Sequence, residues 1–229
     1  MDVPLFLHLP HASSVVPESC RADFLVSPAE LAGEQLRLED RYTDELFGPG
    51  WPAGQVWTAP VSRLVVDVER FRADAHEPCA GVGMGAVYVR GTRGQVLRAV
   101  APARREVLLE TYYDPHHRAC EAAVAQALAA HGRCVVLDAH SYPTEPLPTQ
   151  RPDAPQPEIG LGTEGRHTPP ALRALAEGFF RSRGFVVGFD VPFRGAMVPT
   201  RYYHQDFRVE SLMVEVRRDL YMDEVTSAR

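Results

Sequence analysis

A chain of 229 residues, 45% hydrophobic and 24% charged, has the make-up of a globular protein. It is long enough to bury one full sheet with its covering helices, so a single domain over residues 1–229 is expected. A net charge of −6 with no Lys/Arg block argues against nucleic acid or an anionic membrane as the main partner. No apolar run approaches the roughly 20 residues of a membrane span. The opening Met1-Asp2-Val3-Pro4 stretch lacks the basic start and long apolar core of a secretion signal. Cys20, Cys79, Cys120 and Cys134 are scattered, with no C-x-x-C pair, so a reducing cytoplasm is the expected setting.

Residues 4–9 form a short apolar run that reads as a first strand, delivering His11 at its carboxyl end. Ser27, Pro28 and Glu30 supply an N-cap, a first-turn proline and a capping box. They predict a helix that runs to about Phe47 and stops at Gly48-Pro49-Gly50. Near its end Asp40 and Asp44 stand i, i+4 on one face, a repulsion of a few tenths of a kcal/mol that a cation beside them would reverse. Arg41 and solvent offer the plainer explanation.

Residues 56–70 predict a second strand in which Arg63, Asp67 and Arg70 interrupt the apolar Leu64, Val65, Val66 and Val68. Charges enter so apolar a run when they are paired or functional. Alternation sets Arg63 and Asp67 on one face, with Arg70 opposite or past the strand end. The glycines between residues 72 and 95 bracket a hairpin strand at Val87–Arg90, without the helix start and Gly-Lys-Ser/Thr of a phosphate loop. From Pro102 to Ala130 the apolar spacing predicts a helix broken at Asp114-Pro115, with His116 and His117 as surface or packing residues.

The central strand is predicted at residues 133–142, where an apolar run ends in Asp138, His140 and Ser141. In open α/β sheets, ligand sites lie beyond the carboxyl ends of the strands. Asp138 and His140 share a face, so the carboxylate can orient the imidazole or line the same pocket. The proline-rich loop over residues 143–157 is long enough to act as a lid. A short strand at residues 157–163, a helix from about Pro170 to Arg183 and a strand at residues 185–189 follow. The turn at residues 192–197 then sets Arg194 at a site rim. Ser211–Arg217 is the last strand, with Glu215 and Arg217 on one face. Alternating strands and helices predict an α/β fold with a mixed sheet.

Collected at these strand ends and one helix end are His11, Asp40 or Asp44, His140 and Glu215, with Arg63, Arg70 and Arg194 near them. Two histidines and one carboxylate are the ligands of a hydrolytic zinc site. Zn²⁺ brings the pKa of a water toward ~7 and polarises a carbonyl, and other divalent transition metals can fill such a site. Glu215 would carry the water's proton to a leaving amine. The arginine fork suits a carboxylate. The chemistry predicted is amide hydrolysis of a small acidic substrate.

Eight motifs in order carry a resemblance: Pro10-His11-Ala12-Ser13, Asp40 to Phe47, Ser62 to Arg70, Asp138 to Tyr142, Ile159 to Thr163, His167-Thr168-Pro169, Pro192 to Gly195, and Glu215-Val216-Arg217. With them the chain resembles the N-formylglutamate amidohydrolase family from about residue 7 to residue 221. The resemblance implies a fold like that of the zinc carboxypeptidases, a mixed, mostly parallel sheet flanked by helices. It also implies release of formate from N-formyl-L-glutamate, or a related small N-acyl amino acid, in histidine degradation. Carried over, it makes His11 and His140 metal ligands, with one of Asp40 and Asp44 the third, Asp44 slightly favoured. It makes Glu215 the general base and Arg63 and Arg70 the binders of substrate carboxylates; Arg194, Ser141 and Asp138 complete the expected substrate surroundings. Where many relatives carry Asn this chain has Glu69, which alternation with Arg70 allows to turn outward. Two other readings keep the fold. One is a carboxypeptidase-like hydrolase of a peptide or cell-wall fragment, favoured by an open groove at residues 143–157 where a closing lid favours a small molecule. The other is a catalytically silent binding protein, against which the presence of His11, His140 and Glu215 stands.

Overall fold

The computed structural model describes residues 3–151 and 153–229, so Met1 and Asp2 of the opening stretch and Pro152 of the proline-rich loop lie outside the described residues. The strands are β1 (Leu5–Leu9), β2 (Val56–Thr58), β3 (Cys134–Tyr142), β4 (Ile159–Gly162), β5 (Val187–Phe189) and β6 (Val209–Arg217). They form a single sheet in the order β2-β1-β3-β6-β4-β5. The pairings are parallel except for β4 against β6. The helices are α1 (Glu18–Arg21), α2 (Pro28–Leu38), α3 (Thr43–Phe47), α4 (Pro102–Leu108), α5 (Asp114–His131) and α6 (Pro170–Arg181). Among the described residues, no helix is long and apolar enough to cross a membrane.

Helices cover both faces of the sheet, as the apolar centre of a parallel sheet requires. On one face Cys120, Val124 and Ala127 of α5 pack against Phe6 of β1, Val136 of β3 and Val209 of β6. On the other, Leu172, Ala176 and Phe180 of α6 lie against Ile159, Leu161, Leu212 and Val214, and Phe47 of α3 meets Leu7, Leu9 and Ala139. The long central strands β1, β3 and β6 thus have apolar cover on both sides, while their polar residues gather at the carboxyl ends.

Four expected elements differ. The helix expected over residues 28–47 is two helices: its capping box at Ser27 and Glu30 is formed, but the chain leaves the helix at Glu39 and passes Tyr42 at φ 66° before α3 begins. The strand expected over residues 56–70 ends at Thr58; beyond it the backbone turns, with Val65 and Val66 N–H both donating to Ser62 O. Its valines are buried, so the apolar run reports burial, but the segment has no neighbouring strand to pair with. Residues 109–113 continue α4 into α5 as a π-helical turn, whose widened ladder stands just ahead of Pro115, the residue that lacks an N–H to donate. The hairpin strand expected at Val87–Arg90 is reduced to one bridge between Arg90 and Val96.

Candidate active site

Beyond the carboxyl ends of β1, β3 and β6 lies a cavity of about 80 Å³ lined by His11, Asp40, Glu69, Arg70, His140 and Glu215. Arg63, Ser141 and Arg194 also border it, and Leu147 and Thr149 bring the proline-rich loop to its wall. A wider groove of about 910 Å³ lies between α2 and the C-terminal residues, but it holds none of these histidines.

His11 follows β1 and His140 sits near the end of β3, their ring centroids 5.0 Å apart. Each ring is gripped on its Nε2 side by a buried carboxylate: His11 by Asp67 Oδ1 at 2.9 Å, His140 by Asp138 Oδ1 at 3.1 Å. On the Nδ1 side both face Asp40, whose Oδ2 lies 3.4 Å from His11 and 3.0 Å from His140. Glu69 approaches the pair from the Nε2 side, 3.5 Å from His11 and 3.0 Å from His140. One donor atom from each of His11, Glu69 and His140 lies within 4.8 Å of the others, a spacing able to hold a metal ion. His11 Nδ1 is buried and has no hydrogen-bond partner.

The break between α2 and α3 separates the two aspartates that a single helix would have stacked. Asp40 N–H donates to His11 O, and the Asp40 side chain is buried. Arg218 donates to Asp40 Oδ1 at 3.3 Å and to Ser141 Oγ at 3.3 Å. Asp44 faces solvent and accepts from its neighbour, Glu45 N–H. Burial works to raise the Asp40 carboxyl, but the adjacent His11 and His140 imidazoles outweigh it and hold the group well below the usual carboxylate range.

Glu215 lies opposite His140 in the parallel β3–β6 register and opposite Gly160 across the antiparallel β6–β4 pairing. Gly160 is required there, since a Cβ would stand 2.7 Å from Val191 O and 3.2 Å from Glu215 Cβ. Burial, with Asp40 and Glu69 adding like charge, pushes the Glu215 carboxyl up to about 8. Its Oε2 is buried without a partner.

The arginines divide into two kinds. Arg63 is buried and spent: it donates to Asp67 Oδ2 at 2.9 and 3.2 Å and to Leu38 O, and Tyr88 OH closes on the same carboxylate at 2.8 Å. Arg70 is partly exposed; its Nε makes no hydrogen bond but stands 3.6 Å from Asp67 Oδ2, and its Nη1 lies 3.9 Å from Glu69, while Arg194 stands exposed at the rim. Asp138 does not border the cavity; its oxygens accept from His8, His140 and the N–H of Met197. Arg217 points away, to Asp219 and Gln156 O.

Glu69 and Arg218 escaped the sequence reading. Alternation turned Glu69 outward in a segment, residues 59–70, that is not a strand, and Arg218 lies one residue past the end of β6. The available signal was charge itself, since Asp67, Glu69 and Arg70 crowd the end of one apolar run and each needs a partner.

The sheet thus gathers paired imidazoles, buried carboxylates and arginines beyond its strand ends, a set of groups suited to hydrolytic chemistry. Over residues 3–222 the sequence matches the N-formylglutamate amidohydrolase family, and the chain belongs to it. An N-formylglutamate deformylase of Pseudomonas aeruginosa is 25% identical over 231 residues, covering 97% of this chain and 83% of that protein. The crystal structure of an N-formylglutamate amidohydrolase from Ralstonia eutropha JMP134 superposes with a TM-score of 0.83 at 27% identity, covering 99% of this chain and 86% of its own. A gene product of Agrobacterium tumefaciens, 20% identical, shares the fold with a TM-score of 0.64, over 99% of this chain and 85% of its own.

Proposed function

We propose that the protein hydrolyses the formyl amide of N-formyl-L-glutamate, or of a closely related N-acyl amino acid, to formate and the free amino acid, with a divalent metal in the site. The observation that carries this reading is the pair of unpartnered buried atoms, His11 Nδ1 and Glu215 Oε2, on residues that line one cavity in a chain of this family. A buried polar atom left unpaired costs about 1–3 kcal/mol, so such a pair suits a site built for a ligand.

The donor set fits a metal such as zinc. With a metal bound, Asp67 and Asp138 would take the Nε2–H of His11 and His140 and free both Nδ1 atoms, which face Asp40, to hold the ion. We assign His11, His140 and Asp40 as the ligands, with Glu69 the second carboxylate within reach. A metal bound there would polarise the amide carbonyl and make a water acidic enough to serve as nucleophile near neutral pH. Glu215, whose Oε2 has no partner in the cavity, would accept a proton from the attacking water and deliver it to the leaving nitrogen. Arg70, with Arg194 at the rim, binds the substrate carboxylate, while Arg63 holds Asp67 and through it His11.

The small cavity with Leu147 and Thr149 in its wall supports a small substrate over a peptide or cell-wall fragment. The four cysteines are free thiols, in keeping with a cytoplasmic setting. The test is formate release from N-formyl-L-glutamate beside N-formyl-L-leucine and a formylated dipeptide, with Glu215→Gln as control. N-formyl-L-glutamate should be the best of the three, and Glu215→Gln should keep the metal yet lose turnover about 10²-fold or more. Preference for the dipeptide, or full activity in Glu215→Gln, would overturn the reading.

A further inference from the structure

Arg218 stands one residue past the end of β6 and is buried, with 3% of its surface exposed. It borders the wider groove and not the catalytic cavity, so the reaction above gives it no part. Its guanidinium nonetheless reaches the residues of the site. Nη1 donates to Leu36 O at 3.4 Å and to Arg37 O at 2.8 Å, both in the last turn of α2. Nη2 donates to Asp40 Oδ1 at 3.3 Å, and Nε donates to Ser141 Oγ at 3.3 Å. One planar group thus ties together the end of α2, the residue two positions beyond it and the end of β3.

A buried guanidinium is costly unless its charge and its donors are matched, and Asp40 supplies the carboxylate at this place. The same contact fixes how that carboxylate is turned. The Asp40 backbone is held by His11 O, which accepts its N–H, and by Thr43, whose N–H and hydroxyl both donate to Asp40 O. These bonds place the backbone but leave the carboxylate free to rotate, because the last torsion of an aspartate is broad. Among the described residues, Arg218 is the side chain that grips Oδ1, and with Oδ1 held, Oδ2 faces His11 at 3.4 Å and His140 at 3.0 Å. The fork also spans the break after α2 that sends Asp40 inward and Asp44 out. A lysine would carry the charge, but its single ammonium lacks the planar fork that reaches two carbonyls, a hydroxyl and a carboxylate at once.

We propose that Arg218 is a positioning residue of the active site, whose fork turns the Asp40 carboxylate so that Oδ2 is presented to a metal between His11 and His140. This rests on the reading of Asp40 as a metal ligand. Two variants probe position 218: Arg218→Met keeps bulk without donors, and Arg218→Lys keeps the charge without the fork. Each is made alone and on an Asp40→Asn background. Zinc affinity is measured by competition with a chromophoric chelator. The place of the Asp40 side chain is read from crystal structures of the metal-free wild type and of the metal-free single variants at position 218.

Arg218→Met should lose zinc affinity about 10- to 100-fold, the usual cost of removing a group that orients a ligand. Arg218→Lys should lose most of the same amount. On the Asp40→Asn background either change should cost no more than about twofold, because the carboxylate it acts through is gone. In the metal-free crystals of Arg218→Met the Asp40 carboxylate should leave its place or occupy more than one. The proposal is overturned if folded Arg218→Met keeps wild-type affinity, or if it loses as much on Asp40→Asn as alone, which would make Arg218 a matter of general stability. It is equally overturned if Arg218→Lys matches the wild type, which would leave the charge and not the fork as the cause. Should Arg218→Met not fold, Arg218→Lys decides by the same comparisons. A wild-type protein that binds no zinc would defeat the metal reading alone, because the metal-free crystals still decide the role of Arg218: an Asp40 carboxylate unmoved in the variants overturns it.

Discussion

At Asp40 a buried carboxylate touches two imidazoles and the Arg218 guanidinium, while four residues on Asp44 points into solvent. Spacing alone made the two equivalent; the turn at Tyr42 makes them different. Asp40→Asn should therefore lower zinc affinity roughly 100-fold, the upper end of what disturbing a metal site costs, and Asp44→Asn should leave it within a factor of about two. Chelator competition on the two variants checks this, and equal losses would contradict the assignment. Arg63 and Arg70 separate in the same way. Arg63→Ala strands the Asp67 carboxylate and should destabilise the fold by about 3 kcal/mol, as for a broken buried ion pair. Arg70→Ala should leave the unfolding midpoint nearly unchanged and raise KM for an acidic substrate more than tenfold, roughly the loss of one charge-assisted hydrogen bond. Urea unfolding and steady-state kinetics on the two proteins would expose the reverse pattern if the roles were exchanged.

Among the elements, β1, β3 and β6 and the start of α2 were legible because each carries a local signature: an apolar run of strand length, or a complete capping box. Residues 59–70 were not. An apolar run reports burial, but pairing needs a neighbouring strand, and this segment has none beyond Thr58. What holds it instead is Arg98, distant in sequence and buried, which donates to the carbonyls of Leu64, Val65 and Tyr88 while its guanidinium lies over the Phe24 ring. Among the described residues no carboxylate pairs with it, and burial depresses it to about 10, so its contribution lies in the carbonyls it satisfies. Arg98→Met should cost on the order of 3 kcal/mol, since several buried acceptors lose their donor together. It should also weaken binding of acidic substrates, because Arg63, Asp67, Glu69 and Arg70 all ride on the clasped segment. A loss below about 1 kcal/mol in urea unfolding would show that the turns stand without it.

For the whole molecule, the alternation of strands and helices was enough to indicate a mixed α/β sheet, whereas the order β2-β1-β3-β6-β4-β5 and the reversal at β4 depend on contacts far apart in sequence. His116 and His117 show the same limit: nothing local marks them as interior, yet His116 meets His8 of β1 and His117 packs on Tyr113 and bonds to Val68 O. Burial depresses them to about 2 and about 4, against about 6.5 in an unfolded chain. Below pH 6.5 each of these two histidines therefore binds more protons in the unfolded chain than in the folded one, and its contribution to stability falls as pH falls, by roughly 2 kcal/mol between pH 6.5 and 5. Glu215, raised to about 8, works in the opposite direction over the same window. Urea unfolding of the wild type and His117→Gln checks this: the variant should lose less stability as pH falls, and an identical slope in both would contradict the buried neutral state.

The most direct test of the central claim is formate release from N-formyl-L-glutamate as a function of bound metal, starting from chelator-stripped protein and adding zinc. The account predicts no turnover in the stripped protein and activity rising in proportion to zinc up to one ion per chain. Turnover that persists undiminished in stripped protein would contradict it, and would turn His11, Asp40 and His140 into a proton-handling group with no metal to hold.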